Sequence, residues 1–369
     1  MIVLTINSGS TSVKLAAFDT AGGQTPSRLA SEHHSGGKIE PHSILRALLA
    51  KLRSRPDAVA HRVVHGGTRF TRPVRIDSSV LSDIAELSQL APLHNPKALE
   101  WIAAAREVCD PTVTQVAAFD TAFFAGLPRV AAEYALPTSI GIEQGVRRYG
   151  FHGLAHEAMW RRWCEVRPEL PRGGRLITLQ LGGGCSAAAV DKGQPVDTSM
   201  GFSPLEGLVM ATRSGDVDPA IIPYLQHRLA LTSERIVELL NLESGLAGVS
   251  GNDSDPGTLL ADTSPQSRFA VELYCYRVRK YIGAYFAVLG GCDGIVFGGG
   301  VGEHVPGVRE RILTGMRWAG VELDVRANEA ARGAEARIDA ERGSVRVYVL
   351  PVEEELLLVR AAETVLGSK

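Results

Sequence analysis

The chain has 369 residues, of which 45% are hydrophobic and 22% are charged, and its formal net charge is −2. This length favours two domains over one, and the composition excludes a disordered chain. So small a net charge excludes a general electrostatic attraction to nucleic acid or to an anionic membrane, and any anion chemistry must come from local groups.

The cysteines and the N-terminus indicate a compartment. The five cysteines are scattered and form no CxxC pair, which argues against a disulfide framework or a zinc site and fits a reducing environment. The N-terminus runs directly into an apolar stretch without a basic region, and no apolar run reaches the roughly 18 residues of a membrane span. We therefore expect a soluble cytoplasmic protein with no nucleic-acid or membrane partner.

The first predicted element is a hairpin over residues 2–19. Residues 2–6 are apolar and mostly β-branched, small polar residues follow, and Val13 and Leu15 then alternate with more polar positions. This pattern is typical of strand, tight turn and strand. The turn combines Gly9 with hydroxyls, backbone N–H groups and an Asn amide, a group of donors that suits phosphate oxygens. An ordinary polar hairpin turn explains the same residues.

Strands and helices alternate through the rest of the first half. We predict a loop over 20–43, a short helix over 43–53, and buried strands over 57–65 and 112–119. Asn95 is predicted to cap a helix whose first residue is a proline. Such alternation is typical of α/β architecture.

The second half repeats the opening pattern. Residues 176–190 predict strand, small-residue turn and strand, and a further strand over 295–300 ends in glycine. A long helix is predicted over 264–289, a late strand over 344–350 and a terminal helix over 353–366. Two halves that each open on such a hairpin suggest a duplication, with both turns facing one cleft and gripping a nucleoside triphosphate.

Two arginines are notable for their surroundings. Arg62 lies inside an apolar strand, where its charge is costly unless it meets a buried anion, either a ligand or a structural carboxylate. Arg213 lies in the segment 197–219, which is rich in Gly, Ser, Thr and Pro and too long for a simple turn. Long structured loops are often functional, although a solvated surface arginine explains Arg213 equally well.

A histidine and two carboxylates complete the candidates. His152 lies beside two glycines just before a predicted helix, where an imidazole can meet an anion. Its spacing to His156 suggests a metal pair, but the glutamate follows the second histidine, so the HExxH pattern is absent. Asp120 and Glu354 end two predicted strands, and carboxylates there can hold Mg²⁺ directly or through water. Solvated acidic loop residues are the simpler alternative.

Together these stretches resemble the acetate/propionate kinase family of the actin-like, sugar-kinase and Hsp70 ATPase superfamily. The resemblance runs from residue 2 to about residue 360, in family order, through the segments NSGSTSVK, AHRVVHGG, LAPLHNP, FDTAF, RRYGFHG, DTSMGFSPLEGL with TRSGDVDP, GGGVGEH and PVEEEL. It implies an α/β fold of two duplicated ribonuclease H-like (actin-like ATPase) domains with mixed five-stranded sheets and a cleft between them. The implied domains are 1–122 plus 357–369 and 123–356.

The resemblance implies an acetate kinase: direct, in-line and reversible transfer of the γ-phosphoryl group of ATP to acetate, giving acetyl phosphate and ADP. The implied cofactor is Mg²⁺ (or Mn²⁺), the implied partners are acetate and ATP, and family members are commonly homodimers. A carboxylate is already nucleophilic at neutral pH, so this transfer needs positioning and charge neutralisation and no general base.

The family's functional residues transfer to matching positions of this chain. Asn7 would contact the transferring phosphoryl group and the metal, the two arginines would hold the carboxylate and the developing charge, and His152 would stabilise equatorial oxygens. The implied catalytic residues are Asn7, Arg62, Asp120, His152 and Arg213. Arg62 would also bind substrate with the acyl-pocket residues Val64, Leu93, Phe151 and Pro204. The implied nucleotide-binding residues are Ser10, Ser12, Lys14, Gly182, Gly183, Gly184, Asp255, Gly299, Gly300 and Gly302. The metal would be held by Asn7 and Glu354, with Asp120 helping to place it and its waters.

The chain departs from the family pattern mainly at positions expected to contact the phosphoryl donor. Gln180 and Gly183 stand where the family has histidine and asparagine, and no arginine follows Asp255 to lie against a purine. Phe124 replaces the last histidine of FDTAFH, and Val352 replaces a polar residue of TNEE. The alternatives are a propionate or butyrate kinase, a family member that uses another donor such as GTP or pyrophosphate, and a non-catalytic nucleotide-binding paralogue.

Overall fold

The computed structural model describes residues 1–9, 12–21, 25–36 and 39–367. Contacts within the chain separate two compact units. Unit 1 comprises Met1–Ala125, Phe151–Leu154 and Glu353–Lys369, and unit 2 comprises Gly126–Gly150 and Ala155–Val352. The domain bounds 1–122 plus 357–369 and 123–356 remain a prediction.

The described residues of unit 1 form one mixed sheet in the order β3-β2-β1-β4-β6-β5. The central strands β1, β4 and β6 are parallel, whereas β2, β3 and β5 join by antiparallel pairing. The strand bounds are β1 Ile2–Ser8, β2 Ser12–Asp19, β3 Ser27–Ser35, β4 Ala58–Val63, β5 Val74–Arg75 and β6 Thr114–Phe119.

Helices cover the unit 1 sheet and complete its core. Leu45 of the first helix and Trp101 of the third pack with Leu4 and Ile6 of β1 in one apolar cluster. The last helix of the chain packs on β1, β4 and β6, which brings its first residue, Glu354, to this unit. The helix bounds are α1 Pro41–Leu49, α2 Ser78–Glu86, α3 Asn95–Val108 and α15 Glu354–Gly367. Helices α4 to α14 are given with unit 2.

Two predictions for unit 1 are wrong in detail. Residues 27–35, expected in a loop, form the edge strand β3. Its half-buried positions alternate with exposed ones but hold Ala30, Glu32 and His34, so the sequence shows no apolar alternation. Asn95 does not cap α3, because it lies inside the helix. Its side chain is buried, accepts from His65 N (3.1 Å) and donates to His65 O (3.1 Å), so tertiary pairing replaces the cap.

Unit 2 repeats the unit 1 sheet strand for strand. Its order is β9-β8-β7-β10-β12-β11, with β7, β10 and β12 parallel and the other three antiparallel to their partners. The predicted duplication is therefore visible in topology. The strand bounds are β7 Arg175–Leu181, β8 Cys185–Asp191, β9 Gln194–Thr198, β10 Gly294–Gly298, β11 Ala336–Arg337 and β12 Arg346–Val349.

Each described sheet has six strands where the resemblance implied five. The additional strand is a two-residue edge strand in both cases, β5 beside β6 and β11 beside β12. Two residues are too few to produce a periodic pattern in a sequence. The expected α/β class and mixed sheets are confirmed.

The longest helix of unit 2, α11, packs on β8 and on the short helix α9. The helix bounds are α4 Arg129–Ala132, α5 Thr138–Gly141, α6 Gly153–Val166, α7 Ile221–Leu229, α8 Ser233–Leu242, α9 Gly245–Ser250, α10 Pro256–Ala261, α11 Pro265–Leu289, α12 Gly299–His304, α13 Pro306–Leu313 and α14 Val325–Ala330.

Two further sequence expectations concern cysteines and membranes. All five cysteines are free thiols. Among the described residues, no helix has both the length and the apolar character needed to cross a bilayer.

Candidate active site

Three polar side chains of unit 1 meet at the carboxyl ends of its central parallel strands. Asn7 lies near the end of β1, Arg62 near the end of β4, and Asp120 immediately after β6. Because β4 lies between β1 and β6, the arginine lies between the amide and the carboxylate. The sheet order thus assembles residues that are far apart in sequence.

Arg62 and Asp120 form a buried bidentate ion pair. Arg62 Nε donates to Asp120 Oδ1 (3.0 Å) and Oδ2 (3.1 Å), and Nη2 donates to Oδ2 (2.6 Å). Their side chains are only 12% and 1% exposed. Of the two anions that the sequence left open for Arg62, the structure therefore shows a protein carboxylate.

Asn7 links this pair to Glu354. Arg62 Nη1 donates to Asn7 Oδ1 (3.2 Å), and Asn7 Nδ2 donates to Glu354 Oε2 (2.5 Å). Burial acts to lower the pKa of Arg62, but the negative charges of Asp120, Glu354 and Glu355 outweigh it and raise that pKa above its ordinary value. Two of the five guanidinium N–H groups remain uncommitted in these hydrogen bonds, so Arg62 can still bind a second anion.

The backbone next to His152 closely contacts the backbone of Asp120. A side chain on Gly153, the next residue, would place its Cβ 1.9 Å from the backbone oxygen of Asp120. His152 has a left-handed φ of 56° and immediately precedes α6, as the sequence predicted. His156 is not part of this group: its imidazole is fully buried in unit 2, between the hydroxyls of Thr178 and Ser186 (2.7 Å each).

The side chains expected to hold a divalent cation supply hard oxygen donors. Asp120 and Glu354 are carboxylates and Asn7 adds an amide oxygen, which is the ligand chemistry of Mg²⁺ and Mn²⁺. Arg62 already bonds both oxygens of Asp120 and that of Asn7. Within the described ranges no group of three His, Cys, Asp or Glu side chains could enclose a metal. The carboxylate and amide oxygens of these side chains suit a cation that keeps several of its waters.

The expected acyl-pocket residues differ in exposure. In unit 1, Val64 and Phe151 are buried, and the Phe151 ring packs edge-on against His65 with 5.4 Å between centroids. Leu93 is 49% exposed. Pro204 belongs to unit 2, where its backbone oxygen accepts from Arg213 Nη1 (3.0 Å).

Arg213 contrasts with Arg62 in its charge balance. In the described part of unit 2, its guanidinium makes no ion pair, and Nη1 contacts only the Pro204 oxygen and Met210 Sδ (3.7 Å). Burial lowers the pKa of Arg213. A half-buried cation with free N–H groups is well suited to bind a ligand anion.

The predicted glycine turns of unit 2 lie side by side. Gly182 and Gly183 connect β7 to β8, and Gly299 and Gly300 begin α12 directly after β10. A Cβ on Gly182 would lie 4.0 Å from Gly300 N, whereas a Cβ on Gly183 or Gly300 would meet nothing within 4 Å. The turns therefore form a surface of bare backbone, which suits close approach of phosphates.

The remaining expected nucleotide contacts divide between the two units. In unit 1, Ser12 begins β2, and Lys14 is exposed opposite Asn7 in the β1–β2 pairing. Ser10 lies outside the described residues. In unit 2, Gly302 is buried in α12, and Asp255 Oδ1 accepts from Thr258 N (2.8 Å) as the N-cap of α10. Asp255 therefore has a local structural use.

Sequence reasoning missed several residues that support these elements. Glu303 Oε1 accepts from Gly299 N (2.9 Å) and Val352 N (3.1 Å). Arg309 is fully buried, and all its hydrogen bonds go to oxygens of the segments 302–303 and 328–331. The signal available for Glu303 was its place in the glycine-rich GGGVGEH segment, whereas Arg309 had none beyond its position in an amphipathic helix.

The duplicated α/β fold, the paired arginine of unit 1 and the glycine turns of unit 2 define a phosphotransferase. The chain belongs to the Acetokinase family, whose family model matches residues 20–360.

Relatives and solved structures agree with this assignment. The acetate kinase of Chloroherpeton thalassium is 45% identical over 308 residues, which span 82% of this chain and 74% of that protein. The crystal structure of Porphyromonas gingivalis acetate kinase superposes with a TM-score of 0.89 at 35% identity, covering 99% of both chains. The structure of a propionate kinase from Francisella tularensis superposes with a TM-score of 0.88 at 31% identity, covering 98% of both chains. The family resemblance noted in the sequence is confirmed.

Proposed function

We propose that this chain transfers the γ-phosphoryl group of ATP to acetate, reversibly, forming acetyl phosphate and ADP. Family membership supports the reaction type. The observation that carries the proposal is Arg62, a buried cation that Asp120 neutralises and orients while two of its N–H groups remain available. Such a group can bind a small carboxylate in a fixed orientation.

Each polar group has a defined part in the proposed transfer. Arg62 holds the acetate carboxylate, and Asp120 keeps its guanidinium in place. Arg213, which has no carboxylate partner in the described part of unit 2, neutralises charge that develops on the transferring phosphoryl group. His152 donates to an equatorial phosphoryl oxygen. Acetate attacks as the anion, so no residue has to accept a proton.

The proposal includes a divalent cation. Glu354 and Asp120 would hold Mg²⁺ or Mn²⁺ through its waters, beside Asn7, and the ion would neutralise charge on the phosphate oxygens. By resemblance to the family we also propose a homodimer in the cytoplasm.

The decisive experiment is an acyl-hydroxamate assay with acetate and ATP on the wild type and on Arg213→Ala. The variant should keep its fold and lose roughly 10³-fold in kcat, as when an arginine finger is removed. Arg53→Ala is the matched control, because Arg53 is exposed in a surface turn. An Arg213→Ala enzyme with most of its activity would refute the role of Arg213, and a wild type that forms no acyl phosphate with any of the donors and acids compared below would indicate a non-catalytic paralogue.

A second candidate function concerns the phosphoryl donor. Gly183 leaves open space at the hairpin turn, Asp255 is used as a helix cap, and Gly257 stands two residues after it without a side chain to lie against a purine. These features favour recognition through phosphates over recognition of the base. ATP, GTP and pyrophosphate should be compared as donors in the same assay, and a strong preference for ATP would exclude this candidate.

The acceptor is tested in the same way. A propionate kinase lies among the structural neighbours, so propionate and butyrate are the alternatives to acetate. The ratio of kcat/KM values for the three acids decides between them, because each extra methylene changes discrimination by about 10–200-fold.

A further inference from the structure

The segment of unit 2 that carries Arg213 is closed at its base by one aspartate. Asp216 Oδ1 accepts from Gly207 N (2.8 Å), and Asp216 N donates to Gly207 O (3.0 Å). These reciprocal bonds join the two ends of the loop 208–215. The two ends of the loop are therefore held together, and Arg213 lies three residues before Asp216.

A tyrosine on the longest helix holds the other oxygen of this carboxylate. Tyr281 Oη donates to Asp216 Oδ2 (2.8 Å). Burial, followed by the charge of Asp216, raises the pKa of Tyr281, so the phenol remains a donor across the physiological range. Because Tyr281 lies within α11, which packs on β8, the bond ties the loop to the rigid core of unit 2.

Two glycines allow the base of the loop to close tightly. Gly207 and Gly215 have φ angles of +107° and +69°, in the region that favours glycine. A Cβ on Gly215 would lie 2.5 Å from Gly207 O and 2.6 Å from Leu208 O. The base therefore cannot accept a side chain at Gly215 without a shift of the backbone.

The tip of the loop contacts the glycine turn between β7 and β8. Ala211 N donates to Gly183 O (3.1 Å), and Met210 N donates to Arg213 O (3.1 Å). The Arg213 side chain is anchored by one hydrogen bond to the Pro204 oxygen (3.0 Å) and a long contact to a thioether sulfur. With so few side-chain anchors, the direction of the guanidinium depends on the backbone beneath it.

We propose that Asp216, oriented by Tyr281, is a positioning residue that sets the place of Arg213 for phosphoryl transfer. This inference rests on the proposed role of Arg213. Its hydrogen bonds go to Gly207 and Tyr281, and its effect on the reaction passes through the loop.

Single substitutions give the first test. Asp216→Ala removes the acceptor at both the loop and the helix, and kcat should fall about 10²-fold, as expected for a misplacement of about 1 Å, with the KM for ATP nearly unchanged. Asp216→Asn should retain most activity, because its amide oxygen can accept from Gly207 N and its NH₂ group can donate to the Tyr281 oxygen.

The helix side of the contact is tested separately. Tyr281→Phe should lower kcat about tenfold, because Asp216 keeps its bonds to Gly207. Tyr276→Phe is the matched control, since Tyr276 lies on the same helix and is 57% exposed. Amide hydrogen exchange of residues 207–216 should be faster in Tyr281→Phe and unchanged in Tyr276→Phe.

A double-mutant cycle decides whether Asp216 acts through Arg213. If it does, Asp216→Ala adds less than about threefold to the loss already caused by Arg213→Ala. A further loss of about 10²-fold would overturn the proposal, as would an Asp216→Ala enzyme with unchanged kcat. If Asp216→Ala does not fold, an unchanged kcat in Tyr281→Phe overturns it instead. An active Arg213→Ala single variant would refute the proposed role of Arg213, and a wild type that transfers no phosphoryl group would refute the proposed function, so these failures are distinguishable from failure of the Asp216 proposal.

Discussion

Removing Asp120 should destabilise unit 1 strongly, because it leaves the Arg62 charge buried without its main partner. Arg62 directs three hydrogen bonds to Asp120 and one to Asn7, and the guanidinium cannot release its proton. Breaking a buried ion pair by removing one partner costs about 3–5 kcal/mol. For a unit of this size that corresponds to a fall in Tm of roughly 6–20 °C.

The assay is thermal unfolding of Asp120→Ala, Arg62→Met and the double variant. Arg62→Met should also destabilise, because the buried Asp120 carboxyl group loses the donor that neutralises it. The double variant should be more stable than the sum of the single effects predicts, since no unpaired charge remains.

An exposed ion pair provides the control for Asp120. Asp83 pairs with Arg69 at the surface, with side chains 33% and 50% exposed, so Asp83→Ala should change the Tm only slightly. The reasoning fails if Asp120→Ala lowers the Tm no more than Asp83→Ala, or if the two effects in the cycle are additive.

Three further predictions concern stability. Burial lowers the pKa of His156 to about 3, so below pH 6.5 the unfolded chain binds a proton that the folded chain does not. The contribution of neutral His156 to the free energy of unfolding is complete above pH 6.5 and should fall by about 2 kcal/mol at pH 5. Urea unfolding of His156→Gln should therefore show a weaker pH dependence between pH 5 and 7 than the wild type. Arg309→Met should lower the unfolding midpoint by several degrees, because buried carbonyl oxygens lose their donor; a midpoint equal to that of the wild type would contradict this. Gly153→Ala should destabilise and reduce activity, since its Cβ would lie 1.9 Å from the Asp120 backbone oxygen. Gly283→Ala, with open space around the Cβ inside α11, should stabilise by about 0.5–1 kcal/mol. A Tm raised by Gly153→Ala, or lowered by Gly283→Ala, would contradict this reasoning.

The strong local patterns predicted much of the fold. The hairpins at 2–19 and 176–190, the buried strands and the long helix follow from apolar periodicity, which depends only on neighbouring residues. The strand β3 escaped prediction because its half-buried positions hold Ala30, Glu32 and His34, so one face of the strand carries no run of apolar residues. Asn95 was misassigned because its buried pairing with His65 competes with the cap that its sequence position suggests.

The members of the candidate site remain predictions from the sequence, and their contacts could not be predicted from it. An arginine inside an apolar strand requires an anion, and the sequence alone shows that requirement. Which anion it meets depended on the sheet order, because β4 lies between β1 and β6 and so places Arg62 against Asp120.

The sequence by itself determined that the chain would form two similar α/β halves, each with a small-residue turn after its first strand, because those features arise from composition and spacing over a few residues. Only the tertiary structure decided which distant side chains support them. Asp216 and Tyr281 are 65 positions apart, and Arg309 reaches oxygens of two other segments. Helix packing and strand register determine which of these residues meet, and a local sequence pattern contains no information about either.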